Sequence, residues 1–166
     1  MNKEKVIKFL KDLAPYVVII AIVILIRTFL VTPIRVVGPS MIPTLKSGDI
    51  MILNKVSKID RFDIVVINSE KSPEILIKRV IGLPGETVEI KDNKIYINGK
   101  VLKDKYGKGK TSNYDLVKVP SDEYFVLGDN RPISADSRLM GTFSKKDIKG
   151  TTKLTIFPFK RIGIKK

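Results

Sequence analysis

From residue 13 to residue 32 the chain is apolar apart from Arg27, with no acidic residue in the run. About twenty such residues suffice to cross the hydrocarbon core of a bilayer as a helix. Pro15 falls in the first turn, where its missing N–H costs nothing. Arg27 lies close enough to the far end to snorkel toward the interface. A cleaved export signal would have a shorter apolar core followed by a small-x-small site. Here Leu30-Val31-Thr32-Pro33 follows, so residues 13–32 read as an uncleaved transmembrane anchor. Residues 1–12 are polar, with Lys3, Lys5, Lys8 and Lys11 against Glu4 and Asp12. Lysines ahead of a span hold that end in the cytoplasm, which leaves residues 33–166 outside.

Beyond the anchor the pattern is one of short strands. Apolar stretches at residues 49–54, 63–68, 75–81, 124–127 and 153–157 alternate with turn residues. Residues 87–90 and 94–97 flank Lys91-Asp92-Asn93 and form a hairpin, with a second turn at Asn98-Gly99. Residues 103–114, rich in lysine and glycine, read as a mobile loop. No stretch outside the anchor holds helical periodicity over three turns, so the fold class is mainly β.

The chain has neither histidine nor cysteine. A Ser-His-Asp triad and a cysteine nucleophile are therefore impossible, as are disulfides and zinc sites of the Cys/His type. Neither a metal nor a cofactor is expected. With 31 Lys+Arg against 17 Asp+Glu the formal net charge is +14, which favours anionic partners such as lipid headgroups. The lysines are dispersed, aromatic residues are few and no nucleic-acid-binding signature is present, so no nucleic-acid partner is expected.

Gly38-Pro39-Ser40-Met41-Ile42-Pro43-Thr44-Leu45 sets one serine between two prolines that each fix φ. A serine held this way is either part of an ordinary turn or a nucleophile. As a nucleophile it needs a carboxylate or a lysine as its base, and a lysine serves only if burial has lowered its pKa. Lys78 is the candidate, within Leu76-Ile77-Lys78-Arg79-Val80-Ile81. Period-two alternation puts Leu76, Lys78 and Val80 on one face of that strand. The other reading is a lysine on an edge strand, reaching out to water.

A third segment, Gly128-Asp129-Asn130 with Ser134-Ala135-Asp136-Ser137-Arg138, completes a pattern. With Ser40-Met41, Pro43-Thr44-Leu45, Gly48-Asp49, Lys78-Arg79-Val80-Ile81-Gly82 and Pro84-Gly85-Glu86 before it, the chain resembles the bacterial type I signal peptidases of the single-span kind. These are membrane-anchored serine-lysine endopeptidases, and the resemblance runs from about Arg35 to Arg138.

The resemblance implies an antiparallel β-sheet catalytic domain over residues 33–166, with a small inserted β subdomain at about residues 84–120. It implies removal of signal peptides from exported preproteins after small-x-small sites, with membrane lipid as a second partner. Ser40 would be the nucleophile and Lys78 the general base, acting through an acyl-enzyme. Ser134 would orient the Lys78 amine. Asp136 and Arg138 would form a salt-bridged brace together with Arg79, while Asp129 and Asn130 either join it or only shape the turn. The Ser40 N–H would be one oxyanion donor. In some members a serine hydroxyl two residues earlier supplies the second; Gly38 stands there in this chain, so a backbone N–H near Gly38 or a water would replace it. Ile34, Val36 and Ile77 are candidates for the substrate pockets. Met41, Ile42, Pro43 and Leu45 are either core or an apolar group that dips into the bilayer surface.

Two other readings compete. The self-cleaving repressors of the DNA-damage response also use a serine-lysine pair, but no DNA-binding helix pair precedes the β region here. A membrane-anchored β module could also bind a partner without catalysis.

Overall fold

A computed structural model of the chain describes residues 3–165. Met1, Asn2 and Lys166, the outer ends of the expected cytoplasmic segment and catalytic domain, lie outside the described residues. Helix α1 (Lys3–Phe29) leads directly into strand β1 (Val31–Arg35). Then come β2 (Ile50–Asn54), β3 (Ile64–Ile67), β4 (Leu76–Gly82), β5 (Thr87–Lys91), β6 (Lys94–Ile97), β7 (Lys100–Val101), β8 (Tyr114–Lys118) and β9 (Glu123–Leu127). The short helix α2 (Ser137–Met140), β10 (Phe143–Ser144), β11 (Ile148–Phe157) and β12 (Gly163–Ile164) complete the mainly β fold.

No part of Ile7–Phe29 is buried against the rest of the protein, although the stretch is long and apolar enough to cross a membrane. A helix that is apolar over residues 13–29 except for Arg27, and uncovered by protein, fits a single membrane span. The helix stops earlier than hydropathy suggests, since Val31 and Thr32 belong to β1, where they pair with Asn54 and Leu53. The strand is fastened to the helix end: Lys55 Nζ donates to the carbonyls of Arg27 and Thr28, and Thr32 Oγ1 donates to Arg27 O at 2.9 Å. These are carbonyls of the last turn, which have no partner inside a helix.

The larger sheet has the order β1-β2-β11-β3-β4-β9-β10, with β12 beside β11, and every pairing is antiparallel. The smaller sheet, drawn from residues 87–118, has the order β7-β6-β5-β8. Its β5–β6 turn places Asp92 and Asn93 at positive φ, as a two-residue hairpin turn requires. Ile81, Phe125 and Leu127 of the large sheet share one core cluster with Val88, Ile90, Ile95 and Ile97 of the small one, and this apolar contact joins the two.

β4 lies between β3 and β9, so Lys78 is not on an edge strand. Its neighbour Ile77 packs into a cluster with Val36, Met41, Leu45 and Met51. Val80 packs on the other side with Val65, Val126 and Phe143.

Because β1 belongs to the sheet, its loss and the loss of α1 should differ. A chain lacking residues 1–29 should still unfold cooperatively. Removing residues through Arg35 also removes the β1–β2 ladder and Ile34, which packs on the Met51 cluster. At about 1 kcal/mol per ladder hydrogen bond the extra cost should be on the order of 3 kcal/mol. Urea unfolding of both truncations checks this; equal stabilities would mean that β1 does not hold the sheet.

Candidate active site

The segment bearing Ser40 is anchored from both sides of the serine. Met41 and Leu45 are buried, and Leu45 N–H donates to Met41 O at 2.9 Å. They are core residues, and of the apolar group around Ser40 they are not available to a bilayer; Ile42 is exposed. The Ser40 carbonyl accepts from Asn130 N–H at 2.9 Å, and Asn130 Nδ2 donates to Pro39 O at 3.3 Å. Gly38 sits at φ 85°, a left-handed turn conformation that brings no side chain to the site.

Lys78 is 3 % exposed, and its Nζ donates to Ser40 Oγ at 2.8 Å. Two residues 38 positions apart are thus brought within hydrogen-bonding reach. Burial pushes the Lys78 pKa below the ordinary 10.5; Asp136 opposes this shift and Arg138 adds to it. Burial costs the ammonium form, because a charge loses water it cannot replace. The sign for stability follows. Below its folded pKa Lys78 carries a proton in both states and the burial penalty is present in full. The penalty is relieved as pH rises from there toward 10.5.

Three arginine-aspartate pairs surround the loop after β9. Arg79 donates through Nε and Nη2 to the two oxygens of Asp129, at 2.8 and 2.6 Å, and both side chains are fully buried. Thr44 Oγ1 donates to Asp129 Oδ2 at 2.5 Å, which ties the nucleophile segment to the same carboxylate. Arg138 pairs with Asp136 at 2.8 Å, and Asp136 also accepts from Gly128 N–H at 3.0 Å. Arg131 pairs with Asp104 of the small-sheet region.

This geometry alters part of the expected brace. Arg79 belongs to Asp129 rather than to Asp136 and Arg138, and Asp129 is more than a turn former. The reason is register: Arg79 is paired with Leu127, which brings its guanidinium to the first residues of the loop. Ser134 Oγ is buried and has no hydrogen-bond partner in the structure, so it makes no bond to Lys78. It packs against the Gly128 backbone, and a Cβ on residue 128 would overlap both Ser134 Oγ and the Ser40 carbonyl. Only glycine allows that three-way approach. Thr44, Asp104 and Arg131 carry contacts that their local sequence does not announce, because each depends on a partner distant in the chain.

Beside β1 and β4 lies a groove of about 510 Å³, lined in part by Ile34, Leu53, Val66 and Ile77, with Glu74 and Lys149 also on its wall. Two of the three pocket candidates, Ile34 and Ile77, therefore face it; Val36 is buried in the core. Among the described residues no group of three or more acidic, histidine or cysteine side chains could hold a metal ion.

Comparison with known proteins follows the same lines. The family described as "Signal peptidase, peptidase S26" matches residues 9–157. A signal peptidase I P of Bacillus subtilis subsp. natto is 40 % identical over 177 residues, covering 97 % of this chain and 94 % of its own. A signal peptidase I of Bacillus amyloliquefaciens is 45 % identical over 163 residues, covering 87 % of each chain. Among solved structures, a signal peptidase I from Enterococcus faecalis matches with a TM-score of 0.53 and 36 % identity, over 58 % of this chain and 97 % of that one.

The fully buried Arg79–Asp129 pair generates a stability prediction. Removing one partner strands the other charge, so Asp129→Asn or Arg79→Met should each cost about 3–5 kcal/mol in urea unfolding. An Arg79→Met/Asp129→Asn double variant should lose clearly less than the two single costs added. Additive costs, or single costs below about 1 kcal/mol, would show that the pair does not hold this loop.

Proposed function

The chain belongs to the signal peptidase family, peptidase S26, and from that premise we propose that it is a type I signal peptidase in which Ser40 is the nucleophile and Lys78 the general base. One observation carries the assignment of residues: the 2.8 Å hydrogen bond between the Lys78 amine and the Ser40 hydroxyl, at a lysine that burial holds below its ordinary pKa.

The chemistry follows from that contact. Neutral Lys78 accepts the Ser40 proton as Oγ attacks the scissile carbonyl carbon. The tetrahedral oxyanion is met by the Ser40 N–H, with a further donor near Gly38. As the intermediate collapses, the Lys78 ammonium gives its proton to the departing amine, leaving an ester on Ser40. A water, deprotonated by Lys78, then hydrolyses the ester and frees the serine.

The groove lined by Ile34 and Ile77 suits the residues ahead of the scissile bond. Its apolar walls fit small aliphatic side chains, in line with a small-x-small preference. The substrates are signal peptides of exported preproteins. The lysines of the first twelve residues favour an N-terminus in the cytoplasm and a catalytic domain outside, where the basic surface can meet anionic lipid. Asp136 and Arg138 brace the loop next to Lys78, and Ser134 closes the packing behind Gly128.

The test uses the full chain in detergent, a preprotein as substrate, and sequencing of the product's new N-terminus. Ser40→Ala and Lys78→Met should each lower kcat/KM by roughly 10³-fold or more, and the double variant should lose little beyond either. In the wild type, kcat should rise with pH through the lowered Lys78 pKa, because only the unprotonated amine accepts a proton, and level off short of 10.5. A Lys78→Met protein that keeps a tenth of its activity would remove the base from this mechanism.

A further inference from the structure

Residues 104–111, within the lysine- and glycine-rich stretch 103–114 expected to be mobile, are instead fastened to the loop beside Ser40. Arg131 is 3 % exposed and ion-pairs through Nη2 with Asp104, which is half-buried. Its Nη1 donates to Thr111 Oγ1 at 3.2 Å, and its Nε donates to Gly128 O at 3.0 Å. Gly107 lies so close to the guanidinium that a Cβ there would overlap Arg131 Cζ and both terminal nitrogens. Two backbone bonds close the junction: Lys108 N–H to Asp129 O at 2.7 Å, and Arg131 N–H to Lys108 O at 3.0 Å. Tyr106, from the same stretch, lays its ring 3.7 Å from Arg79 Cζ.

The other side of this loop holds the nucleophile. Asn130 N–H donates to the Ser40 carbonyl, and Asp129 binds Thr44 and Arg79, the residue after Lys78. A displacement of residues 128–131 would therefore carry both ends of the Ser40–Lys78 contact with it.

We infer that Arg131, held in place by Asp104 and Gly107, is a positioning residue for the serine-lysine pair, and that the small sheet exerts its influence on catalysis through this clamp. The inference rests on the reading of Ser40 and Lys78 as nucleophile and base. The clamp touches neither reacting atom. Its charge is compensated by Asp104, so it should set where Ser40 Oγ lies and leave the titration of Lys78 alone. Misplacement of reacting groups by about 1 Å can cost a hundredfold in rate without changing what is bound.

Steady-state cleavage of a small-x-small peptide by the full chain in detergent tests this, with Gly107→Ala, Asp104→Asn, Arg131→Lys and a Ser40→Ala control. Assays run well below the melting temperature of each variant. Gly107→Ala changes no charge and no donor, so any loss it causes traces to the displaced guanidinium. Arg131→Lys keeps the charge opposite Asp104 and stands in if Asp104→Asn does not fold. The expected result is a fall in kcat of about tenfold or more with KM within about twofold and, in Gly107→Ala and Arg131→Lys, which keep both charges, the rising pH limb where the wild type has it. A brace that serves stability alone would lower the melting temperature and leave kcat within about twofold, which would overturn the inference. A loss carried by KM, or by a pH limb displaced in Gly107→Ala or Arg131→Lys, would overturn it too. A Ser40→Ala protein that still cuts would defeat the reading of the dyad, and the inference with it; an inactive Ser40→Ala beside fully active clamp variants would defeat the inference alone.

Discussion

The proposed mechanism depends on keeping one lysine out of water and against one hydroxyl. A lysine on a solvated surface is charged at neutral pH and cannot take a proton. Burial lowers the Lys78 pKa from its ordinary value because β4 is an inner strand, covered on one side by the cluster around Ile77 and on the other by the cluster around Val80. The arrangement opposes folding while the amine is protonated, and the surrounding sheet offsets that cost with apolar burial. In the charged state Nζ donates to Ser40 Oγ; in the neutral state the same contact lets the hydroxyl donate to nitrogen, which is the direction the reaction needs.

The loop facing Lys78 has few apolar side chains with which to build a core. Its rigidity comes from three arginines, Arg79, Arg131 and Arg138, each set against an aspartate. Buried pairs of this kind add little net stability compared with apolar packing, but they are strict about geometry because a displaced partner leaves a bare charge. The planar guanidinium adds direction: Arg79 meets both oxygens of Asp129, and Arg138 meets both of Asp136. Such a loop can hold the polar groups that chemistry requires without collapsing onto them.

The parts of this design that are local in the chain were legible in the sequence. The apolar run, the Asp92-Asn93 hairpin and the apolar strand that carries Lys78 each announce themselves within a few residues, and the lack of histidine and cysteine leaves a carboxylate or a lysine as the base for Ser40; that this strand lies inside the sheet rather than at its edge does not show locally. Contacts set by the register of distant strands were not legible. Val31 and Thr32 continue the hydropathy of the helix, so the start of β1 was hidden inside the anchor. β11 begins at Ile148 rather than near 153 because Gly150 and two threonines interrupt the apolar signal; Gly150 is needed there, since a Cβ would strike the Asn54 carbonyl. The composition of residues 103–114 suggests motion, and nothing local records that Arg131 is waiting for Asp104. Arg79 was set with the wrong carboxylate because its partner depends on how β4 aligns with β9.

The central claim concerns the protonation of one amine, and it can be observed without an assay of activity. A titration of the lysine side-chain nitrogens by NMR, on protein labelled with nitrogen-15 at lysine and with Lys78→Arg as the assignment control, follows that amine directly. The account predicts a lysine resonance that titrates below the ordinary 10.5 and is missing from the Lys78→Arg spectrum. If Lys78 titrates together with the exposed lysines, the buried strand does not tune the base and the proposed mechanism is wrong.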